Sequence, residues 1–504
     1  MQHLLERIKA GTLWDFHGGI HPPENKHQSS LTPVVDAGLP PQLIIPVRQH
    51  AGPAGELLVR VGDRVKKGQP LTRHDKGRIV PVHASTSGTI TAIEQHTVAH
   101  PSGLDDLCVI LTPDGEDAWG ERNPQPDYWN LERGELLDRI QQAGVAGLGG
   151  AVFPTHSKLD GRGQLTEILI VNGLECEPYI TTDDRLMQEQ GVQILGGIRY
   201  LLQITGASRC FIGIEANKPE ALACMDLLCH DEPAVDVVSL PPLYPMGSEK
   251  QLIEAVTGLQ VPSGKLSADV GVLVQNVATC IAVFHALRFG RPLTHRVITV
   301  SGDALEQPTN VYAPIGMPIS EIVSQCGGLK ATPARIVLAA SASEFIHRMT
   351  ALAAQQGAVQ VAVPPHSYGD YAQAAQVRGL DVVRGGGAAA GLQWACEPSS
   401  PLGRADPAVR TWQDGSTVAA LRVLDCAYAP LRLDEEAAWA GSPSPHLPSA
   451  CWQLWTPNKA MGLTGVRAAY AIAPLHAEPP ELQALRDLAP SWVVGAHGVA
   501  MLQA

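Results

Sequence analysis

The chain is sparing with charged and aromatic residues. Charged residues make up 17% of its 504 residues and aromatic residues 5%, whereas about 25% of an average globular domain is charged. Hydrophobic residues nevertheless make up 45%, so the scarcity of charge does not indicate disorder. We therefore expect a folded chain with room for roughly three domains of about 150 residues each.

Basic residues are the rarer of the two charge types. Lys and Arg together number 37 against 50 Asp and Glu, which gives a net charge of −13. A nucleic-acid partner would need a basic surface. The charge balance therefore argues against nucleic-acid binding.

Long apolar runs are absent as well. A membrane-spanning helix needs about 18 or more apolar residues, and the best candidate, residues 270–287, contains Gln275 and His285. The first eleven residues carry Glu6 and Lys9 without an apolar core, so no secretory signal is predicted. We expect no transmembrane segment and a chain that stays in the cytoplasm.

The cysteines lack the spacing of metal-binding motifs. There are ten, with no Cys-x-x-Cys pair, and Cys224 and Cys229 are the closest two. Structural zinc sites and iron–sulfur clusters depend on such spacings. The sequence therefore predicts no metal site and no iron–sulfur cluster, and isolated cysteines in a reducing compartment serve mainly as small buried residues.

The pattern of apolar and polar residues changes along the chain and divides it into segments. We expect a multidomain α/β protein with five segments: an N-terminal arm (1–40), a small β-barrel (41–100), an α/β domain (101–262), a small β-containing unit (263–332) and a second α/β domain (333–504).

The β-barrel segment contains short apolar runs separated by turn signals such as Gly62-Asp63. Its stretch from Val61 to Leu71 resembles the biotinyl/lipoyl-type barrel, in which a lysine near the position of Lys76 carries a modification. An ordinary hairpin lysine is the alternative for Lys76.

The first α/β domain alternates buried strands with helices. Apolar runs at 168–171, 210–214 and 235–240 are typical of parallel strands buried on both faces. Residues 184–202 between the first two have a helical pattern. This alternation predicts a doubly wound sheet.

A glycine-rich run precedes the first of these strands. Gly147, Gly149 and Gly150 let backbone N–H groups approach a phosphate closely, and Lys158 follows as a point charge. Tight helix packing would require the same small residues, so both interpretations stay open.

Acidic residues follow the first strand directly. Glu175 and Glu177 come after Asn172, at the carboxyl end of a predicted parallel strand, where open α/β sheets bind ligands. Two acids spaced by two residues in a strand would point to the same side and could accept hydrogen bonds from ribose hydroxyls or a flavin ring. A solvated loop in which one of them caps a helix is the alternative.

These motifs, together with residues 14–26 (Trp-Asp-Phe-His-Gly-Gly-Ile-His-Pro-Pro-Glu-Asn-Lys) and Gln275-Asn276-Val277, resemble the C subunit of the Rnf electron-transport complex, RnfC, over residues 10–330. The glycine and Asn-x-x-Glu-x-Glu-Pro segments are also similar to the flavin-carrying NADH-binding subunit of complex I. The resemblance implies binding of FMN and NADH and transfer of electrons from a hydride donor to one-electron carriers. It also implies a small β-grasp unit of the SLBB type around residues 299–316.

Site residues follow from the resemblance position by position. Flavin phosphate contacts would be Gly147, Gly149, Gly150 and Lys158, and contacts to the isoalloxazine, ribose or nicotinamide would be Asn172, Glu175 and Glu177. Val152 departs from the pattern, because the complex I family has glycine there.

The resemblance also implies partners and a location. The chain would be an NADH-oxidising subunit that docks with other subunits of an ion-translocating complex on the inner face of the cell membrane. RnfC continues into two sets of cysteines that hold [4Fe–4S] clusters, and no such spacing follows Gly328 here. A non-catalytic scaffold is therefore an alternative.

The last third carries its own motifs. Lys459 precedes a glycine-punctuated turn and Arg467, a pair suited to binding an aldehyde cofactor and its phosphate. Asp425 ends a buried strand, where it could hold a protonated pyridine nitrogen, and Tyr368 offers a ring to stack on the cofactor.

Residues 336–504 resemble fold-type I PLP enzymes, in the branch of histidinol-phosphate aminotransferase and threonine-phosphate decarboxylase. The resemblance implies a part of that family's large domain, and thus a PLP-dependent activity as a second possibility. Ser400 stands where the family has asparagine, and the chain ends before the family's small C-terminal domain. The implied PLP contacts are Ala342, Ser343, Tyr368, Asp425, Tyr428, Lys459 and Arg467. Lys459 would be the Schiff-base lysine and the sole catalytic residue.

Overall fold

The computed structural model divides into two compact units, Met1–Lys330 and Ala331–Ala504. It describes residues 2–73, 77–99, 105–125, 130–160, 165–330, 335–386, 389–398, 406–412, 420–429, 450–456, 468–474, 477 and 479–490.

The first unit contains eleven strands and eight helices among its described residues. The strands are β1 (Val35–Asp36), β2 (Leu43–Pro46), β3 (Arg64–Val65), β4 (Gly88–Thr97), β5 (Asp105–Pro113), β6 (Ile168–Gly173), β7 (Arg209–Glu215), β8 (Val235–Leu240), β9 (Val272–Asn276), β10 (His295–Val300) and β11 (Thr309–Pro314). The helices are α1 (Gln2–Lys9), α2 (Arg133–Gln142), α3 (Thr155–Asp160), α4 (Thr182–Thr205), α5 (Pro219–Cys229), α6 (Glu249–Thr257), α7 (Val277–Phe289) and α8 (Ile319–Gln325).

The barrel segment forms a four-stranded antiparallel sheet in the order β2-β5-β4-β3. Strand β5 extends to Pro113, so the predicted boundary at residue 100 cuts through a strand pair. The physical reason is that β4 and β5 are neighbours over their whole length, with Gly88 opposite Pro113 and Thr97 opposite Asp105.

The α/β domain is built on a parallel sheet in the order β8-β7-β6-β9. The three predicted apolar strands are confirmed as β6, β7 and β8. Strand β9 pairs directly with β6, Ile168 opposite Val272, so this domain continues past the predicted boundary at residue 262. Helices α4 and α7 pack on one face of the sheet, and α6 and the N-terminal helix pack on the other.

The small unit is a three-stranded sheet in the order β1-β11-β10. Strand β1 comes from the N-terminal arm and runs parallel to β11. The arm is therefore part of this sheet.

The second unit contains a seven-stranded sheet in the order β12-β18-β17-β16-β15-β13-β14, in which β18 is antiparallel to both of its neighbours. Its strands are β12 (Ile336–Ala339), β13 (Gln360–Val363), β14 (Asp381–Arg384), β15 (Leu392–Cys396), β16 (Leu421–Asp425), β17 (Trp452–Trp455) and β18 (Ala469–Ile472). Its described helices are α9 (Ala342–Gln355), α10 (Gly369–Val377), α11 (Pro407–Trp412) and α12 (Pro479–Asp487). The α/β alternation predicted for this segment is confirmed.

Across the described parts of both units, every helix is too short or too polar to cross a lipid bilayer.

Candidate functional site

The glycine-rich run at residues 147–150, here called the glycine loop, lies on the first turn of α7. Gly147 donates its N–H to the Phe153 carbonyl at 2.9 Å, and Leu148 donates to Thr279 Oγ1 at 3.0 Å. A Cβ added at Gly149 would lie 3.1 Å from the Cβ of Asn276. A side chain at residue 149 would press on Asn276, so the loop or Asn276 would have to shift slightly to accept one.

The tip of the loop is open. Gly150 is exposed at φ +107°, and no atom lies within 4 Å of the place where its Cβ would stand. The N–H groups of Gly147 and Leu148 are used within the protein. The part of the loop that could receive a ligand therefore centres on Gly149 and Gly150.

Asn276 joins three elements at this edge of the sheet. Its Oδ1 accepts from the Ala278 N–H at 2.9 Å and so caps α7. Its Nδ2 donates to Asp183 Oδ2 at 2.5 Å and lies 3.4 Å from the Asn172 carbonyl. The glycine loop, the end of β6 and the start of α4 thus meet at one residue.

Asn172 holds the backbone on both sides of itself. Its Nδ2 donates to the Gly247 carbonyl at 2.9 Å, and its Oδ1 accepts from the Leu174 N–H at 3.0 Å. The side chain is half-buried. It shapes the turn that follows β6.

Glu175 is a buried cap for α4. Its side chain accepts from the N–H groups of Asp183 at 2.6 Å and Asp184 at 3.1 Å, and the residue is only 3% exposed. A carboxylate in this position is stabilised by the unpaired N–H groups of the helix start.

Glu175 and Glu177 do not share an orientation. Glu177 is exposed, whereas Glu175 is buried. The expectation that both acids point to the same side is wrong, because β6 ends at Gly173 and the acids lie in the turn beyond it. Of the two alternatives, helix capping describes the contacts of Glu175, although its side chain is buried rather than solvated.

Two basic residues that carried no role in the sequence analysis complete this turn. Lys218 lies 3.4 Å from Glu175 Oε2 and 2.7 Å from Glu215 Oε2, with all three side chains buried. Burial lowers the pKa of Lys218, but Glu175 and then Glu215 outweigh it, so the pKa is raised. The ammonium therefore stays charged between two carboxylates.

Lys26 of the N-terminal arm holds the same turn from the other side. Its Nζ donates to the carbonyls of Glu175 at 2.5 Å, Glu177 at 3.0 Å and Ile180 at 2.7 Å. Burial and the nearby Lys218 lower its pKa. The arm motif thus fixes the backbone that carries Glu177.

Lys158 already has an acidic partner. It lies on α3 with its Nζ 2.9 Å from Glu249 Oε2, and Glu249 also accepts a hydrogen bond from Ser267. A phosphate near the loop would therefore compete with Glu249 for this lysine.

The acids at the start of α4 titrate abnormally. Burial and then the Glu175 carboxylate raise the pKa of Asp183 well above its usual value, with the Asn276 hydrogen bond opposing the shift. Burial also raises the pKa of Asp184. Perturbed carboxyl groups at the carboxyl edge of a sheet are typical of functional sites.

Backbone strain is concentrated at the same edge. Val152 has φ +43° and Tyr179 φ +70°, a region that residues other than glycine, Asn and Asp rarely adopt. Val152 is the position where the complex I pattern has glycine, and its conformation gives the physical reason for that pattern.

A small cavity of about 30 Å³ lies between the arm and the turn, lined in part by His21, Lys26, Glu175 and Glu215. Its volume is that of about one water molecule. It is too small for a nucleotide.

In the second unit, Asp425 ends β16 as predicted. Its Oδ2 accepts from the Tyr371 hydroxyl at 2.6 Å and its Oδ1 accepts from the Ala427 N–H at 2.9 Å. The ring of Tyr371 is buried and stacked on Trp394, with centroids 4.7 Å apart. Asp425 is therefore held firmly in place, and Tyr371 is a neighbour to which the sequence analysis assigned no role.

Two other predicted PLP contacts lie close together. Tyr368 is 46% exposed and its hydroxyl is 3.3 Å from Ser343 Oγ, at the first turn of α9 that also holds Ala342. Tyr428 is half-buried just beyond β16. Lys76, Ser400, Lys459 and Arg467 lie outside the described residues.

Within the described ranges, His, Cys, Asp and Glu side chains nowhere gather in a group of three or more that could hold a metal ion.

Three domain families match the chain. They are the RnfC barrel sandwich hybrid domain at residues 14–116, the Nuo51 FMN-binding domain at residues 140–285 and the SLBB domain at residues 297–343.

Similar proteins agree with these matches. The C subunit of the ion-translocating oxidoreductase complex of Vibrio cholerae serotype O1 is 50% identical over 65% of this chain and 42% of its own length. Its counterpart in Pectobacterium carotovorum is 51% identical over 65% of this chain and 44% of its own length. The chain thus spans less than half the length of these curated relatives.

The C-terminal part has aminotransferase-like neighbours among solved structures. One is the histidinol-phosphate aminotransferase from Clostridium acetobutylicum, with a TM-score of 0.27 and 15% identity, covering 34% of this chain and 55% of that chain. This similarity is too low to assign an activity.

The barrel sandwich, FMN-binding and SLBB matches follow one another within the first 343 residues, and the relatives that share this stretch carry one name. The resemblance predicted from the sequence is thereby confirmed: the N-terminal two thirds of this chain is similar to the C subunits of ion-translocating oxidoreductase complexes, the RnfC type.

Proposed function

We propose that residues 10–330 form an NADH- and FMN-binding electron-transfer subunit of a membrane-associated, ion-translocating redox complex. The single observation that carries the proposal is the close approach of the glycine loop to Asn276 at the carboxyl edge of β6 and β9. Open α/β sheets bind nucleotide-like ligands at this edge. The Nuo51 match and the names of the relatives support the same function.

The loop and its surroundings fit a flavin phosphate. Gly149 and Gly150 would supply backbone N–H groups where a side chain would block the approach. Gly147 would act by shaping the loop, since its own N–H is bound to Phe153. Lys158 would add a positive charge once the phosphate replaces or joins Glu249 as its partner.

The turn after β6 that carries Glu175 and Glu177, here called the acidic turn, would hold the parts of FMN and NADH that lie away from the flavin phosphate. Asn172 and the exposed Glu177 would contact the flavin ring, a ribose or the nicotinamide. Glu175 would act as a positioning residue, because its carboxylate is occupied by the start of α4 and by Lys218. Lys26 would keep Glu177 in place by binding the backbone of the turn.

Bound FMN would supply the chemistry that the side chains lack, since a flavin accepts two electrons as a hydride and passes them on singly. The carriers that receive these electrons would belong to other subunits of the complex. We place the chain at the periphery of the membrane, on its cytoplasmic face, with a biotinyl/lipoyl-like barrel and a β-grasp SLBB unit.

A flavin titration tests this proposal. The full chain should bind FMN with quenching of flavin fluorescence, and NADH should bleach the bound flavin under anaerobic conditions. Gly149→Ala should weaken FMN binding at least about tenfold, because its Cβ would displace Asn276 or the loop.

Gly134→Ala in α2 is the matched control, because no atom lies within 4 Å of the added Cβ. It should bind FMN like the wild type. Wild-type protein that takes up no FMN, or a Gly149→Ala variant with unchanged affinity, would contradict the proposed function.

A second function is favoured by one observation in the second unit. Asp425 stands at the carboxyl end of β16, fixed by Tyr371, while Ser343 and Tyr368 lie together at the start of α9. This arrangement suits a pyridine nitrogen at Asp425 and a phosphate near Ala342 and Ser343, with Tyr428, Lys459 and Arg467 as further proposed contacts. PLP-dependent aminotransferase or decarboxylase chemistry is thus the alternative.

Incubation with PLP and borohydride distinguishes that alternative. Covalent labelling of Lys459, absent in Lys459→Ala, would support a PLP site, and Lys330→Ala serves as the control lysine. If neither FMN nor PLP binds, a non-catalytic scaffold is the function that remains.

A further inference from the structure

A second, larger cavity lies in the first unit, away from the acidic turn. Its volume is about 110 Å³, and three parts of the unit line it: the barrel region with Lys67 and Trp119, helix α7 with Ile281 and His285, and strand β10 with Arg296. Nothing in the proposed handling of flavin or NADH uses these residues.

One wall of the cavity is aliphatic. Ala278, Ile281 and Ala282 form a stripe along α7, at spacings that place them on one helix face. Leu148 and Leu293 extend this wall. An apolar ligand body would be desolvated here with favourable free energy.

Arg296 is an incompletely bonded cation beside this wall. A guanidinium has five N–H donors, and among the described residues its only hydrogen bond is from Nη2 to the Leu148 carbonyl at 3.4 Å. None of the described carboxylates forms a salt bridge with it. The side chain is half-buried, and burial lowers its pKa.

The remaining charged groups do not compensate Arg296. Lys67 is paired with Asp117 at 2.7 Å, and Arg291 lies over the ring of Trp119. The residues described as lining the cavity include no acid. Asp36 lies close enough to act on His295 and Tyr312, but it is not among the lining residues. The lining itself therefore carries basic side chains and no acid.

The two histidines support this conclusion. The pKa of His285 is lowered to about 4 by burial and by Arg291, and that of His295 is lowered to about 4 by burial and by Lys67. Both imidazoles are thus neutral at pH 7. They can contribute hydrogen bonds without adding charge.

We propose that this cavity binds a small aliphatic carboxylate, with its charged group paired to the Arg296 guanidinium and its apolar body against the α7 stripe. An arginine and a carboxylate form strong, directional hydrogen bonds. A cavity of about 150 Å³ accommodates benzene, so a volume of about 110 Å³ suits a body of roughly four or five carbon atoms.

The site has a direct link to the glycine loop. Leu148 lines the cavity, accepts from Arg296 with its carbonyl and donates its N–H to Thr279. A carboxylate that draws the guanidinium away from this carbonyl would change the restraint on the residue next to Gly149. Binding in the cavity would thus change the hydrogen bonding of the glycine loop at Leu148.

Isothermal titration of the full chain with isovalerate tests the proposal, with isovaleramide as the uncharged analogue and inorganic phosphate as an anion without an apolar body. We expect saturable binding of isovalerate to one site per chain, and at least about tenfold weaker binding of the other two. Arg296→Gln should weaken isovalerate binding at least about tenfold and leave isovaleramide unchanged. Ala282→Leu should weaken both by filling the apolar wall.

Arg199→Gln is the control, because Arg199 pairs with Glu232 outside the cavity. It should bind isovalerate like the wild type. Arg296→Lys is included because it keeps the positive charge. Thermal unfolding of each ligand-free variant, including this one, separates a lost site from a lost fold. Absence of saturable binding, equal binding of isovalerate and isovaleramide, equal binding of phosphate, or an Arg296→Gln variant with wild-type affinity would each overturn the proposal.

Discussion

The Lys218 ammonium lies 3.4 Å from the Glu175 carboxylate in a setting where both side chains are almost fully buried. Glu215 shares the same ammonium at 2.7 Å. One cation therefore neutralises two carboxylates beneath the turn that follows β6, and the first of these carboxylates also caps α4.

Lys218→Met should destabilise the first unit by about 3 to 5 kcal/mol, because it leaves two buried carboxylates without a counter-ion. Hydrogen-exchange protection of β6 and α4 measures the loss locally, independently of the second unit. Lys250→Met is the control, since Lys250 is exposed and should change stability by no more than about 0.5 kcal/mol. Equal effects of the two substitutions would show that the buried pair contributes nothing.

Val152→Gly should stabilise the first unit by about 1 kcal/mol. A left-handed conformation costs an L-residue roughly 1 to 2 kcal/mol, and glycine adopts φ +43° without that cost. Urea unfolding followed by hydrogen exchange in the loop would record the gain. The same change at Val192, an exposed position in α4, should lower stability by about 0.5 to 1 kcal/mol, and a loss at both positions would contradict the assigned strain.

The raised pKa of Asp183 predicts a pH dependence with a definite sign. The folded state keeps a proton on Asp183 at pH values where the unfolded state has released it. Stability should therefore fall as pH rises from about 4 towards the raised pKa, at up to about 1.4 kcal/mol per pH unit.

Asp183→Asn imitates the protonated acid and keeps an oxygen that accepts from Asn276. Its stability should decline less steeply with pH than that of the wild type over the same range. Denaturant titrations at several pH values give the two slopes. Parallel slopes would mean that Asp183 ionises normally in the folded protein.

Tyr371→Phe should destabilise the second unit by about 1 to 3 kcal/mol, because a buried oxygen of Asp425 loses its hydroxyl donor at 2.6 Å. Tyr470→Phe is a suitable comparison, since its ring stacks on Trp455 and the substitution keeps that contact. Its effect should be smaller. Thermal unfolding monitored by hydrogen exchange of β16 distinguishes the two variants.

The sequence was sufficient for the elements whose signal is local. Continuous apolar runs predicted β6, β7 and β8, and the departure at Val152 marked a position whose backbone does require glycine-like angles. Domain limits were less accurate. Strands β5 and β9 join their sheets through partners tens of residues away, and hydrophobic texture does not encode such pairing.

The candidate site was predictable in its location but not in its internal contacts. The orientation of Glu175 depends on β6 ending at Gly173, a boundary that patterns locate only within a few residues. Lys26 reaches carbonyl groups about 150 positions further along the chain, and Arg296 acquires its surroundings from three separate parts of the unit. Contacts of this kind come from the tertiary fold.

During synthesis, the N-terminal arm is made before the residues that it binds. Ile20 pairs with Tyr244, and Lys26 seats on the turn beyond β6, so the full set of these contacts cannot form until more than two hundred later residues have emerged from the ribosome. At roughly 5 to 20 residues per second this delay is on the order of 10 to 45 s. The arm is thus translated well before its partners and is among the last parts of its unit to be fixed in place.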